Sequence, residues 1–307
     1  MCIRDRNITD FTEFELAITI DRPELYYDFL QKDWTRFCHD YWKNNFLEHH
    51  TLSKKRVTRI YIGNQFCHNL FPKKKLLFQV LEKALENNLA VTLAFSYIRN
   101  HLLEEIDELL QELEVWCQSR EKEAGKEQEE IIVNDWAMPI LLQGKPHLKP
   151  VLGVLLNKRR KDVRLPYKHG IGNHVDSLAE NNLNCGFYQD YLKNTFDIQR
   201  FEFESCGYKV TIPDGHHSLH LPFFQTNTSQ YCTLYAVCRY GDRGKQKLPE
   251  NCPKYCEQKV FLYPKHLKMV GRYNSLFGYD GKILWDEKQL QDYLEQGIDR
   301  IVVNVSL

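Results

Sequence analysis

Four cysteines fall close together late in the chain, Cys232, Cys238, Cys252 and Cys256, spaced Cys-x5-Cys-x13-Cys-x3-Cys. Thiolates are soft ligands that select zinc, copper(I) or iron–sulfur clusters. The segment YGDRGKQKLPEN between the second and third is polar and carries Gly and Pro, so it can fold back as a loop. Structural zinc favours paired knuckles with about two to four residues between cysteines. Cys252-x3-Cys256 meets that spacing and Cys232-x5-Cys238 exceeds it. An iron–sulfur cluster accepts wider spacing because each iron takes its own cysteine, and one ligand can come from far away in sequence. Cys67, just after the apolar run RIYIG, is the remote candidate. The plainer alternative, above all for Cys38, Cys117 and Cys185, is a buried thiol that packs as a small hydrophobe.

Other chemistry-bearing residues are fewer. HHSLH supplies His216, His217 and His220, but adjacent imidazoles point different ways on a helix or a strand, so they read as loop histidines and not as a metal site. There is no G-x-S-x-G elbow and no H-E-x-x-H. The run NKRRKDVR, residues 157–164, is basic, and its place at a strand end suits a phosphate, a carboxylate-bearing molecule or RNA.

Short apolar runs alternate with stretches of helical period, the pattern of a parallel sheet packed under helices. Strands are expected at residues 15–20, 59–63, 89–96, 130–135, 151–157 and 200–204, with late ones at 230–237, 259–263 and 300–305. Helices are expected over 23–46, 73–87 and 177–196. In a further one Leu102, Ile106, Leu109, Leu113 and Trp116 recur at helical spacing. Polar residues follow several strands: Asn64 and Cys67, Tyr97 and Arg99, Asn134 and Asp135, then residues 157–160. A (β/α) barrel builds its site on that C-terminal edge. The fold expected is therefore α/β, a TIM-barrel-like single domain over residues 7–307, with a charged linker or insert at 119–130 and a Cys-rich loop at 232–256. Asn134, Asp135, Arg159 and Arg160 are the candidate substrate contacts, argued from strand-end position alone. The closing strand has no helix after it, which favours truncation at the C-terminus over an edge position.

The chain has 307 residues with 41 Lys+Arg against 41 Asp+Glu. That balance argues against a long-range field that would gather nucleic acid or an anionic membrane. No apolar run reaches the ~18 residues of a membrane span, and residues 1–16 lack the apolar core of a signal peptide. A cytoplasmic protein is expected, and in that compartment its ten cysteines stay free of disulfides or bind metal.

IYIGNQFCHNLFP (residues 60–72), VNDWAMPILL (133–142) and CRYGDRGKQKLPENCPKYC (238–256) resemble the peptidase U32 family, most of all its short UbiV-like branch. The resemblance covers most of the chain. It implies a barrel-like fold and an oxygen-sensitive [4Fe-4S] cluster held by Cys67, Cys238, Cys252 and Cys256, with Cys232 as the alternative fourth ligand in place of Cys67. It also implies participation in O2-independent hydroxylation of a ubiquinone-precursor-like or RNA substrate, as catalyst or as obligate partner in a heterodimer with another U32-family protein. A collagenase-like peptidase and a non-catalytic zinc-binding interaction module, with zinc in place of the cluster, are the alternatives. The charged insert at 119–130 and the basic run at 157–164 depart from that branch.

Overall fold

A computed structural model describes residues 13–124, 128–164, 178–249 and 251–305. Seven strands come first: β1 (Glu15–Ile20), β2 (Arg59–Gly63), β3 (Ala90–Ala94), β4 (Glu129–Val133), β5 (Leu148–Leu152), β6 (Glu202–Glu204) and β7 (His217–Leu221). Four more form a separate antiparallel sheet: β8 (Phe223–Thr228), β9 (Phe261–Leu262), β10 (Met269–Arg272) and β11 (Ser275–Tyr279), in the order β8-β11-β10-β9. The last is β12 (Ile298–Val303).

The large sheet is parallel throughout, in the order β5-β4-β3-β2-β1-β12-β7-β6. Its two ends meet at a parallel bridge between Leu152 and Phe201, with the Leu152 N–H donating to the Arg200 carbonyl at 3.0 Å. Eight parallel strands thus come round to a nearly closed, TIM-barrel-like cylinder. Strands buried on both faces need continuous apolar runs, and ELAITI and RIYIG supply them. Ala17, Tyr61, Ala94, Ile132, Val151 and Val302 fill the barrel interior. Alternate residues such as Ile18, Ile60 and Leu93 join the outer core under the helices.

The helices lying within the described residues are α1 (Pro23–Gln31), α2 (Trp34–Asn44), α3 (Lys74–Glu86), α4 (Leu103–Ala124), α5 (Ala137–Leu141), α6 (Gly186–Phe196), α7 (Thr233–Tyr240) and α8 (Glu287–Glu295). The single helix expected over 23–46 is two. Lys32 and Asp33 are extended, and the Asp33 carboxylate caps α2 by accepting the Arg36 N–H at 2.9 Å. The strand expected at 151–157 is Leu148–Leu152, and at Gly153, where a Cβ would sit 2.1 Å from it, Asn134 Oδ1 packs against the backbone. That oxygen also accepts the Leu155 N–H as the chain turns. The strand expected at 230–237 is helix α7, ended by Gly241 at φ 68°. β12 is no edge strand, since it lies between β1 and β7.

The N-terminal end of the barrel is plugged by charge. Arg300 on β12 makes a two-pronged contact with Glu130 on β4, at 2.6 and 3.0 Å, and its Nε donates to Glu15 at 2.6 Å. Arg59 on β2 donates to Glu15 at 2.8 Å and to Glu130 at 3.4 Å. Burial by itself would raise the Glu130 carboxyl. The charges of Arg300 and Arg59, a hydrogen bond from Arg300 and the charge of Arg200 outweigh it and bring the group from 4.5 down to about 2. A pKa lowered in the folded state gives stability that is complete above the unfolded value and lost as pH falls through the folded one. Stability should therefore drop by roughly 3 kcal/mol on this account between about pH 4.5 and pH 2, as read by urea unfolding. Glu130→Gln should cost about 3 to 5 kcal/mol at neutral pH and flatten that acid limb. A variant retaining the wild-type limb would remove Glu130 from this role.

Candidate functional site

The C-terminal mouth of the barrel brings together residues far apart in sequence. Gly63 closes β2 at φ 108°, where a Cβ would approach the Ala94 carbonyl to 2.5 Å and the Phe71 ring to 2.8 Å. Only glycine fits that turn. Asn64 then accepts the N–H groups of Phe66 at 3.0 Å and Cys67 at 2.9 Å, a side-chain turn that fixes Cys67 above the strand. The other cysteines come from the insert between β7 and β12. Cys232 is the N-cap of α7; its Sγ accepts the Tyr235 N–H at 3.3 Å and donates to the Tyr273 carbonyl at 3.0 Å. Cys256 lies in the short turn Tyr255–Glu257, with its carbonyl held by Arg272 Nε at 3.0 Å.

Cys67, Cys232, Cys238 and Cys256 pack in one small core with Leu70, Leu234, Tyr273 and Phe277, and all are free thiols, as is Cys252. Burial pushes Cys67 up to about 12, with the charges of Cys232 and Cys252 adding to it. Cys256 is pushed up to about 12 by burial, then by Cys67, Cys232 and Cys252. Cys232 is raised by burial, then by Cys252 and Cys238. Every pair among Cys67, Cys232, Cys252 and Cys256 is thus within electrostatic reach. Cys238 also bears on Cys232. Among the described residues, no three His, Cys, Asp or Glu side chains stand ready-made to grip an ion.

Beside these thiols, on the barrel axis, a cavity of about 40 Å³ is lined by Thr19, Asp21, Asn64, Glu204, His220 and Asn304. It has room for water-sized groups. The loop reading of HHSLH is corrected here, because His217 and His220 lie on β7 and are buried. His217 stacks on Phe201 with ring centroids 4.8 Å apart. His220 faces inward and pairs through Nε2 with Glu202, whose carboxylate accepts the Tyr61 hydroxyl at 3.1 Å. Burial would raise Glu202, but the charge and hydrogen bond of His220, followed by Arg300, hold it lowered. His220 Nδ1 has no hydrogen-bond partner among the described residues. Such a pair can hold or pass a proton at the mouth.

Next to this cavity, sharing Val154 with it, is a cleft of about 590 Å³ between the strand-end loops and β8. Asn134, Asp135 and Arg159 line it, and Arg160 is exposed outside it. Their work is largely internal. Asn134 Nδ2 donates to the Phe95 carbonyl at 2.7 Å, and Asp135 Oδ1 accepts the Ala137 and Met138 N–H groups at 3.0 Å. Arg159 donates to the Glu204 carbonyl, while its buried Nε and Nη1 have no partner among the described residues. Lys161, also on the cleft wall, is ion-paired with Glu204. The strand RFEFE held the signal for Glu202 and Glu204, because charged residues alternating along a barrel strand must face the lumen. Ser218 and His220 alternate likewise on β7.

No family model matches the chain, and neither does any curated protein or solved structure.

Thiol reactivity checks the buried centre. In reduced, metal-free protein at pH 8, exposed Cys185 should be alkylated at least about ten times faster than Cys67 or Cys256, whose thiolates are scarce. Peptide mass mapping of a time course reads this, and equal rates would contradict the burial described.

Proposed function

We propose that this protein is an iron–sulfur protein of the kind its sequence resembles, binding a [4Fe-4S] cluster through Cys67, Cys232, Cys252 and Cys256 at the barrel mouth. The observation that carries this reading is the packing of Cys67, Cys232 and Cys256 in one small core, with Cys252 in electrostatic reach of all three. Burying four thiolates together without a cation is prohibitive, so the free centre is held as thiols, and binding must release their protons. Soft sulfur donors with no carboxylate among them fit a cluster or zinc and not a hard cation. The resemblance implies Cys238 in this set, with Cys232 as the alternative to Cys67. Cys238 packs in the same core, but Cys232 is the thiol whose charge acts on both Cys67 and Cys256.

On this reading the protein acts in O2-independent hydroxylation, as catalyst or as the obligate partner of a sister chain, on a small molecule or an RNA. A bound cluster would supply electron transfer or a Lewis-acidic iron. The chain's own contribution is the Glu202–His220 pair, which can hold a proton on the barrel axis, and the polar cleft beside it, which can orient a substrate. A peptidase reading gains nothing from the geometry, since among the described residues the His220 ring bonds to Glu202 and to no Ser or Cys.

Anaerobic purification, followed by iron and sulfide analysis and visible absorption, tests the proposal. Cys67→Ala, Cys232→Ala, Cys252→Ala and Cys256→Ala should each remove most of the iron, while Cys238→Ala should retain it. A colourless protein carrying one zinc would overturn the cluster, and iron lost in Cys238→Ala but kept in Cys232→Ala would overturn the ligand set.

A further inference from the structure

A larger cleft, of about 850 Å³, opens on the other side of the β2 loop. Its size falls in the range of small-molecule sites, which are mostly apolar with a few convergent polar groups. The rings of Phe71 and Phe95 stack in it, with centroids 4.3 Å apart and planes at 25°. Ile106 and Leu109 from α4 form one wall, and Leu248 and Pro249 from the insert face them. Leu248 is 44% exposed although it lines an apolar cleft.

The polar groups are gathered at the barrel end. Arg99, His68 and His101 lie there, the two imidazoles with centroids 6.5 Å apart. Arg99 donates through Nη2 to the Gln230 carbonyl, its only bonded partner among the described residues, and its buried Nε has none. Among the described residues no carboxylate is paired with that guanidinium. The acidic residues of the cleft, Glu105, Glu108 and Glu112, are exposed along α4, and Glu112 is taken by Lys74 at 2.8 Å. A buried donor without an acceptor beside an unoffset cation is costly unless an anion completes it.

We infer that this cleft binds a planar, apolar molecule carrying one anionic group, with its ring against Phe71 and Phe95 and its anion at Arg99. A carboxylate, a phosphate or a sulfonate would serve the same donors, and the site does not depend on what the cysteines hold.

Fluorescence titration with anilinonaphthalene sulfonate, and with its uncharged parent phenylnaphthylamine, tests this. Wild type should bind the sulfonate more tightly than the parent. Arg99→Gln should weaken the sulfonate about tenfold, the loss of one charge-assisted hydrogen bond, and leave the parent unchanged. Leu248→Glu, at an exposed position that should not disturb folding, should weaken both probes about tenfold. Circular dichroism verifies that each variant is folded. Unchanged sulfonate affinity in folded Arg99→Gln and Leu248→Glu would overturn the site. Iron content of the same samples reports separately on the cysteine centre, so failure of one leaves the other standing.

Discussion

Arg300 is the constraint on which the barrel depends. It is 2% exposed, and from β12 it reaches Glu15 on β1, Tyr61 on β2, Glu130 on β4 and Ser218 on β7. One guanidinium thereby fixes five strands at a common level. Burial of the apolar faces already favours one register, and a planar donor fork with assigned acceptors on several strands adds a second, directional constraint on the same alignment. Arg59 repeats the device two strands away, on the same two carboxylates. Buried ion pairs seldom add much net stability, so we read this layer as a second source of the barrel's register. It also seals the N-terminal end, which leaves the C-terminal mouth as the only end of the lumen where chemistry has room.

The same polar column changes character as it rises. Tyr61 accepts from Arg300 below and donates to Glu202 above, and Glu202 holds His220 under the mouth cavity. At the bottom every charge is answered by a fixed partner. At the top His220 keeps one ring nitrogen without a partner among the described residues, and Lys161 and Glu204 pair on the boundary between cavity and cleft. A rigid base beneath a less satisfied rim is the arrangement that pre-organises a site without loosening the fold.

Much of the barrel was legible because its strands are buried on both faces. RIYIG and ELAITI have no competing interpretation, and β1 and β2 lie where those runs are. The inserted sheet was nearly illegible. Its strands are two to six residues long, and FFQTNT and MVGR mix polar and apolar residues without a clean period. α7 read as a strand because CTLYAVC is rich in aromatic and branched residues, and a cysteine is no sequence signal for a helix cap. That misreading also hid which cysteines face one another, since the side a thiol projects from depends on whether its segment is helix or strand. The lumenal carboxylates of RFEFE were visible in principle, because the strand itself was expected and alternation sends Glu202 and Glu204 inward.

The division of the cysteines bears on the insert's own stability. Cys67 belongs to the barrel, whereas Cys232, Cys252 and Cys256 belong to the segment between β7 and β12. The core joining the two is small: Leu70, Leu234, Tyr273 and Phe277, with Phe66, Phe223, Tyr255, Phe261 and Val270 packed against them. Polar clasps help: Tyr97 donates to the Ser229 carbonyl at 3.1 Å, and Asn274 donates both to Tyr97 at 3.0 Å and to that carbonyl at 2.6 Å. Each such bond adds only about 1 kcal/mol. A centre with one ligand on the barrel and three on the insert would add its binding free energy directly to the docking of one on the other. Occupancy of the thiols and seating of the insert on the barrel would then be a single equilibrium.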